Sequence, residues 1–159
     1  MKGGEYMNYY IINENTCALV PINEYRTRVY ELEKKFEVAE NILKILNDSC
    51  LKYGSSYAGR ASATKYAIGY THKAPICLNE YTLNIFFPTK SPRSIDCAWI
   101  SYNNLYIYSK NGKECNITFK NNVTISINVS YLTIQNQLFR SSRLEYYLKN
   151  TYPQHCGKQ

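Results

Sequence analysis

The chain has 159 residues, of which 45% are hydrophobic and 19% charged, with 7 glycines and 5 prolines. That length sets a prior of one domain with a sizeable core, and the composition excludes a disordered, collagen-like or low-complexity chain. Lys and Arg number 19 against 12 Asp and Glu, a net charge of +7.

The charge is unevenly placed. Residues 1–50 carry 6 basic and 8 acidic side chains, whereas residues 51–159 carry 13 basic and 4 acidic. A basic body behind an acidic lead segment suggests an anionic partner such as nucleic acid; the alternative is a basic surface that only aids solubility. No apolar run approaches the ~18 residues of a membrane span. The opening Met1-Lys2-Gly3-Gly4-Glu5 lacks the apolar stretch of a signal peptide. The expectation is a soluble, cytoplasmic protein with no membrane partner.

Residues 8–22 read as a hairpin turning at Asn13-Glu14-Asn15. Period-two alternation over residues 28–32 and 35–38 predicts two strands. Residues 39–52 read as a helix, with Ile42, Leu43, Ile45, Leu46, Cys50 and Leu51 as its apolar stripe and Gly54 as its stop. Further strands are expected over residues 64–70, 81–87, 98–102, 105–109, 114–120 and 123–129. Turns at Lys110-Asn111-Gly112-Lys113 and Asn121-Asn122 join the last three into a meander. A second long helix covers about residues 131–149, ended by Pro153. The fold class is therefore α+β: an antiparallel sheet and meander with two main helices, 39–52 and 131–149. The expected organisation is one domain over 1–159, with acidic strands over 1–38, a basic core over 39–150 and a flexible tail over 151–159.

The six cysteines, Cys17, Cys50, Cys77, Cys97, Cys115 and Cys156, form no CxxC pair, and only His72 and His155 are present to complete a zinc set. Free, buried thiols and no cofactor are expected. Four glycosylation sequons, at Asn47, Asn116, Asn122 and Asn128, are discounted as chance matches in an Asn-rich chain. Trp99, the one tryptophan, is expected in the core.

Gly54-Ser55-Ser56-Tyr57-Ala58-Gly59-Arg60-Ala61 touches the phosphate-loop pattern but places Arg60 where lysine belongs and Ala61 where the metal-binding hydroxyl belongs. It reads as a polar loop presenting backbone N–H groups and Arg60 to a phosphate or a narrow groove, or else as a tight turn with Tyr57 in the core. His72 and Lys73 occupy a second turn, and Lys90 and Arg93 a proline-punctuated basic loop. On the last helix Asn136, Gln137, Arg140 and Arg143 fall at spacings of three and four and can share one polar face. Such a face suits phosphate contact and is equally what a solvated helix shows. No GxSxG, HExxH or clustered acids support an enzyme.

The blocks Cys50-Leu-Lys-Tyr-Gly-Ser-Ser-Tyr-Ala-Gly-Arg60, His72-Lys73-Ala74-Pro75-Ile76, Phe87-Pro88-Thr89 and Cys97-Ala98-Trp99-Ile100-Ser101 match, in order and spacing, the pattern of a known family. Over residues 50–102 the chain resembles the competence transcription factor family (ComK), with weaker similarity through Asn136-Gln137-Leu138-Phe139-Arg140. The resemblance implies an activator of bacterial DNA-uptake genes. Such a protein binds double-stranded DNA at A/T-rich promoter boxes, largely in the minor groove, as a homodimer and as paired dimers. It implies RNA polymerase and a proteolytic adaptor as further partners, and a nucleoid-associated location. In longer members residues of a further tail help the adaptor, and this sequence is expected to depart from the family pattern there.

A·T-rich minor grooves are narrow and strongly negative, and arginine is their favoured probe. Arg60 is therefore expected to enter a groove from the Ser55, Ser56, Tyr57 loop, beside His72 and Lys73. Lys65, Lys73, Lys90, Arg93, Arg140 and Arg143 are expected on phosphates, with Asn136 beside them; Arg60, His72 and Lys73 rest on the shared blocks, and the other cations on charge and position. The competing class is a non-enzymatic protein-interaction module of a regulatory complex, without direct DNA binding, using the alternating sheet or the acidic Glu31, Glu33, Glu37 and Glu40.

Overall fold

The alternating segment near the N-terminus does form strands. The structure, a computed structural model, describes residues 6–151 and places three helices and ten strands within them. After β1 (Tyr6–Met7), β2 (Thr16–Asn23) runs antiparallel to β3 (Arg26–Glu31), and β3 to β4 (Lys35–Val38). The hairpin expected over 8–22 is absent. Its turn exists: Asn13 accepts from the Thr16 N–H on its carbonyl (3.1 Å) and from the Asn15 N–H on its side chain (2.8 Å). The first arm instead drops into the core, where Tyr10 and Ile12 are buried and the Ile12 N–H donates to Ser49 Oγ at 2.9 Å. β1 pairs in parallel with β4.

Helix α1 (Ile42–Lys52) begins at the cap residue Asn41, whose side chain accepts the Leu43 N–H at 2.8 Å. Ile42, Ile45, Leu46, Ser49 and Cys50 form its buried face, while Leu43 and Leu51 point outward. The largest departure from expectation follows. The strand expected over 64–70 is absent: residues 64–68 are the C-terminal part of α2 (Tyr57–Ile68), and Gly69 and Tyr70 follow it. Ser56 caps one end and Gly69, at φ +81°, the other. Those two caps, with Ala58, Ala61, Ala63 and Ala67 between them, outweigh the β-branched and aromatic residues 64–70. The protein thus has three helices among its described residues where two were expected.

β5 (Ile76–Asn79) was not foreseen; it pairs with β6 (Asn84–Pro88) through a turn over 80–83, so the strand expected over 81–87 starts later. Asn79 Oδ1 holds that turn by accepting the Tyr81 N–H at 2.9 Å. β7 (Trp99–Ser101) joins the two halves of a seven-stranded sheet ordered β1-β4-β3-β2-β7-β6-β5. β8 (Leu105–Asn111), β9 (Glu114–Phe119) and β10 (Thr124–Ile127) form the expected meander as a separate three-stranded sheet. α3 (Tyr131–Thr151) closes the described chain; the tail expected over 151–159 lies, beyond Thr151, outside the described residues.

The large sheet is covered on both faces. Leu19, Val29, Phe86 and Trp99 meet α1 and the side chains of Tyr53 and Tyr57. Ala18, Phe87 and Ile100 face the other way, onto Ile117, Phe119, Ile125 and Ile127 of the small sheet and Ile134 of α3. A bulge at Cys17 turns Cys17 and Ala18 to the same side. Trp99, Phe86 and Phe87 have no exposed surface, and each such side chain stabilises the fold by about 1.5–3 kcal/mol. No described helix is long and apolar enough to cross a membrane.

Cys17, Cys50, Cys77, Cys97 and Cys115 are free and buried; Cys156 lies outside the described residues. Burial pushes the Cys17 and Cys50 thiols from the ordinary 9.0 to about 11, and Cys77 to about 12. The unfolded chain therefore loses these protons first. Stability should fall as pH rises from 9.0 toward 11, and thiol mapping near neutral pH should find these cysteines unmodified by iodoacetamide until urea is added. Gly69→Ala places a Cβ with no atom within 4 Å, so its cost is backbone strain alone. A loss of about 1–2 kcal/mol is expected, read as a lower urea midpoint at unchanged m-value.

Candidate nucleic-acid interface

The sequence-predicted cations do not all share one setting. The segment expected as a loop at 55–60 is the N-terminal turn of α2, and its polar groups are turned inward. Ser56 Oγ accepts the Gly59 N–H at 3.0 Å, and Asn47 Oδ1 accepts the Tyr57 N–H at 2.9 Å. Ser55 is half-buried beside Gly59, where an added Cβ would come within 2.3 Å of its Oγ. The Tyr57 ring stands edge-on to Trp99 at 5.8 Å, and burial pushes its hydroxyl up to about 12. Of the two readings of this segment, the placement of Tyr57 matches the packed turn.

Arg60 bridges three elements. Its Nη1 donates to Glu80 Oε2 at 2.6 Å and its Nη2 to the Tyr53 carbonyl at 2.8 Å. The side chain is 12% exposed and that of Glu80 is 35% exposed. The guanidinium thus ties α2 to the end of α1 and to the β5–β6 turn. It is engaged within the protein rather than projecting from a loop.

A second group of cations gathers on α3. Gln137 is buried, and its Nε2 donates both to the Lys73 carbonyl (2.9 Å) and to the Pro88 carbonyl (2.6 Å). One carboxamide thereby fastens loop 70–75 and the end of β6, where the loop over 89–98 begins, to the same helix. Arg140, one turn on, donates to the His72 carbonyl at 2.7 Å, and its guanidinium lies 4.3 Å from the Tyr70 ring centre. Arg143 approaches the same ring at 5.8 Å. Tyr70 therefore carries two arginines on its face. Lys73, at φ +54°, and His72 sit on the loop they clasp.

The neighbouring loop adds Arg93, which is exposed, and Lys90, which is paired with Asp96. That pairing holds the Asp96 carboxyl below its ordinary range. Lys65 is exposed on α2, one turn before Gly69, and Asn136 is exposed on α3, one turn before Arg140. The structure thus brings together His72, Lys73, Arg140 and Arg143, with Lys90 and Arg93 on the adjoining loop. Ser55, Ser56, Tyr57 and Arg60 are fixed in the packing of α2. Sequence reasoning missed Gln137 as the organising residue and Tyr70 as the ring beneath the arginines. The i,i+3 spacing of Gln137 and Arg140 was visible, but their carbonyl partners lie more than 45 residues away. Among the described residues no three His, Cys, Asp or Glu side chains are placed to hold a metal.

Comparison with known proteins agrees with the motif blocks. A model of the ComK protein family matches residues 7–152. The competence transcription factor of Bacillus subtilis (strain 168) is 31% identical over 143 residues, covering 85% of this chain and 72% of that protein. No solved structure matches. The match runs from β1 through the whole of α3 and includes every residue of the α3 cluster, so the chain belongs to the ComK family.

Proposed function

We propose that the protein is a DNA-binding transcriptional activator of competence genes that meets A/T-rich promoter DNA on the face built from α3, loop 70–75 and the loop over 89–98. The observation that carries this reading is the Arg140–Tyr70–Arg143 stack beside Lys73. Arginines held by a ring and by backbone carbonyls lose little further freedom when a phosphate arrives. Lys73, Lys90, Arg140 and Arg143 hold phosphates in this reading, with His72 at their edge and Lys65 extending the track along α2. Arg93, exposed on its loop, is the arginine suited to a narrow minor groove.

Arg60 then acts as a positioning residue. It sets α2 against α1 and the β5–β6 turn, and so supports the loop that follows α2. The family resemblance extends the reading to homodimers, paired on promoter boxes, working with RNA polymerase and under control of a proteolytic adaptor.

Two measurements test these assignments. On a duplex carrying an A-run and a T-run, Arg140→Ala and Arg143→Ala should each reduce the slope of log K against log salt by about 0.9. Binding equal to that on a G·C-rich scramble would remove sequence selectivity from the reading. No binding to either duplex at low salt would replace it with a protein-interaction module. Glu80→Gln leaves the Arg60 charge mostly buried and unpaired. Breaking a fully buried pair costs about 3–5 kcal/mol; with Glu80 partly exposed, about 1–2 kcal/mol is expected in urea unfolding. The salt slope of the folded variant should stay unchanged, because no phosphate contact is lost.

A further inference from the structure

α2 and α3 do not fill the seam between them. α2 fully buries only Thr64, and around the buried Leu144 of α3 the side chains of Ala67, Ile68 and Leu148 stay partly exposed. Cavities open along this seam. One, of about 510 Å³ near the end of α3, has Arg143 in its wall but no acid. Another, of about 270 Å³, reaches Cys77 of β5 and has a mixed wall: apolar at Ala63, Ala67, Leu144 and Leu148, ionic at Arg60 and Glu80.

Arg60 is not satisfied by its partners. A guanidinium donates from Nε as well as from both terminal nitrogens. Nη1 donates to Glu80 and Nη2 to the Tyr53 carbonyl, but Nε is buried and meets no acceptor among the described residues. Buried donors are nearly always paired, so an orphan on a residue of a cavity wall marks a place for an acceptor. Glu80 is in the opposite condition. Its side chain is 35% exposed, and a carboxylate accepts on both oxygens, so Oε1 can take a donor while Oε2 holds Arg60.

We propose that this cavity binds a free apolar α-amino acid, its carboxylate on Arg60, its ammonium on Glu80 and its side chain against Leu144 and Leu148. The ion pair is neutral as a whole. A lone anion drawn to Arg60 is repelled by Glu80, and a lone cation meets the reverse. A zwitterion meets both charges with opposite ones, and its hydrogen bonds are charge-assisted at each end. Arg60 and Glu80 are 2.6 Å apart, which suits two charges borne on one carbon and not the distant termini of a peptide. The cavity lies below the roughly 300–1,000 Å³ of sites for drug-sized ligands, so a nucleotide is too large for it. Its aliphatic wall would leave a polar side chain without partners and favours an apolar one. The inference does not rest on the DNA reading, and no arm of its test contains DNA.

The test titrates the full chain with L-leucine by calorimetry and follows its melting temperature. Saturable binding is expected, with a melting temperature that rises with leucine concentration. L-leucinamide lacks the carboxylate, isocaproate the ammonium and L-serine the apolar side chain; each should bind about tenfold more weakly or worse. Ala67→Leu should fill the cavity and abolish the response. Ala63→Leu, at an exposed position of the rim, disturbs no core packing and should weaken leucine binding about tenfold with unchanged far-UV circular dichroism. Neither heat nor a melting shift with leucine up to its solubility limit would overturn the proposal. An analogue that binds as tightly as leucine would overturn it too, by showing that the group it lacks is not recognised. Leucine binding untouched in the folded Ala63→Leu protein would place the site elsewhere.

Discussion

The structure depends on a sheet whose central strands carry large side chains on both faces. In β6, Phe86 points to α1 and Phe87 to the small sheet; in β7, Trp99 and Ile100 divide the same way. A sheet of this kind is stable only when both faces are covered. α1 covers one face, with Tyr57 from the start of α2. The meander and α3 cover the other. Each cover is amphipathic enough for its task and could not bury its own apolar stripe alone. α2 is capped well at both ends and fully buries only Thr64; Tyr57, Ala67 and Ile68 pack partly buried against the core, and polar ties add to that packing. Arg60 to Glu80 and Tyr53, and Thr64 to the Pro75 carbonyl at 2.7 Å, supply them.

The same economy of polar bonds builds the basic face. Loops bearing cations would ordinarily splay apart, because like charges repel and their backbone groups prefer water. Gln137 prevents this from inside. Being buried, it must place its amide hydrogens on protein acceptors, and it places them on the Lys73 carbonyl of one loop and the Pro88 carbonyl at the root of the other. Arg140 repeats the device nearer the surface. The cations of the cluster are thus brought together by carbonyl acceptors, not by acidic partners, which leaves their positive field uncancelled except at Lys90. That distinguishes them from Arg60, whose field is answered by Glu80.

Exposure on α3 has a related logic. One helix serves the core through Ile134 and Leu144, the loops through Gln137 and Arg140, and the solvent side through Leu132, Phe139 and Tyr146. A helix of 21 residues offers a separate angular sector for each. The apolar sector stays largely exposed, with Phe139 beside the groove that Leu105, Ile107 and Leu138 line.

Local signals in the sequence determined much of this protein. The period-two segments at 26–38 and 99–127, the cap-to-glycine span of α1, the turns at Gly112 and Asn122 and the long α3 all follow from propensity and patterning over a few neighbours. The motif blocks identified the family. The sequence alone did not determine α2, because residues 64–68 favour a strand by type and become helical only between two caps. Nor did it pair β1 with β4, or send Tyr10 and Ile12 into the core rather than along β2. The role of each arginine was likewise undetermined. Arg60, Arg140 and Arg143 are alike as letters, and what separates them is whether Glu80 or Tyr70 stands beside them once the chain has folded. Such partners lie 20 to 73 residues away, and only packing of the sheet brings them into contact.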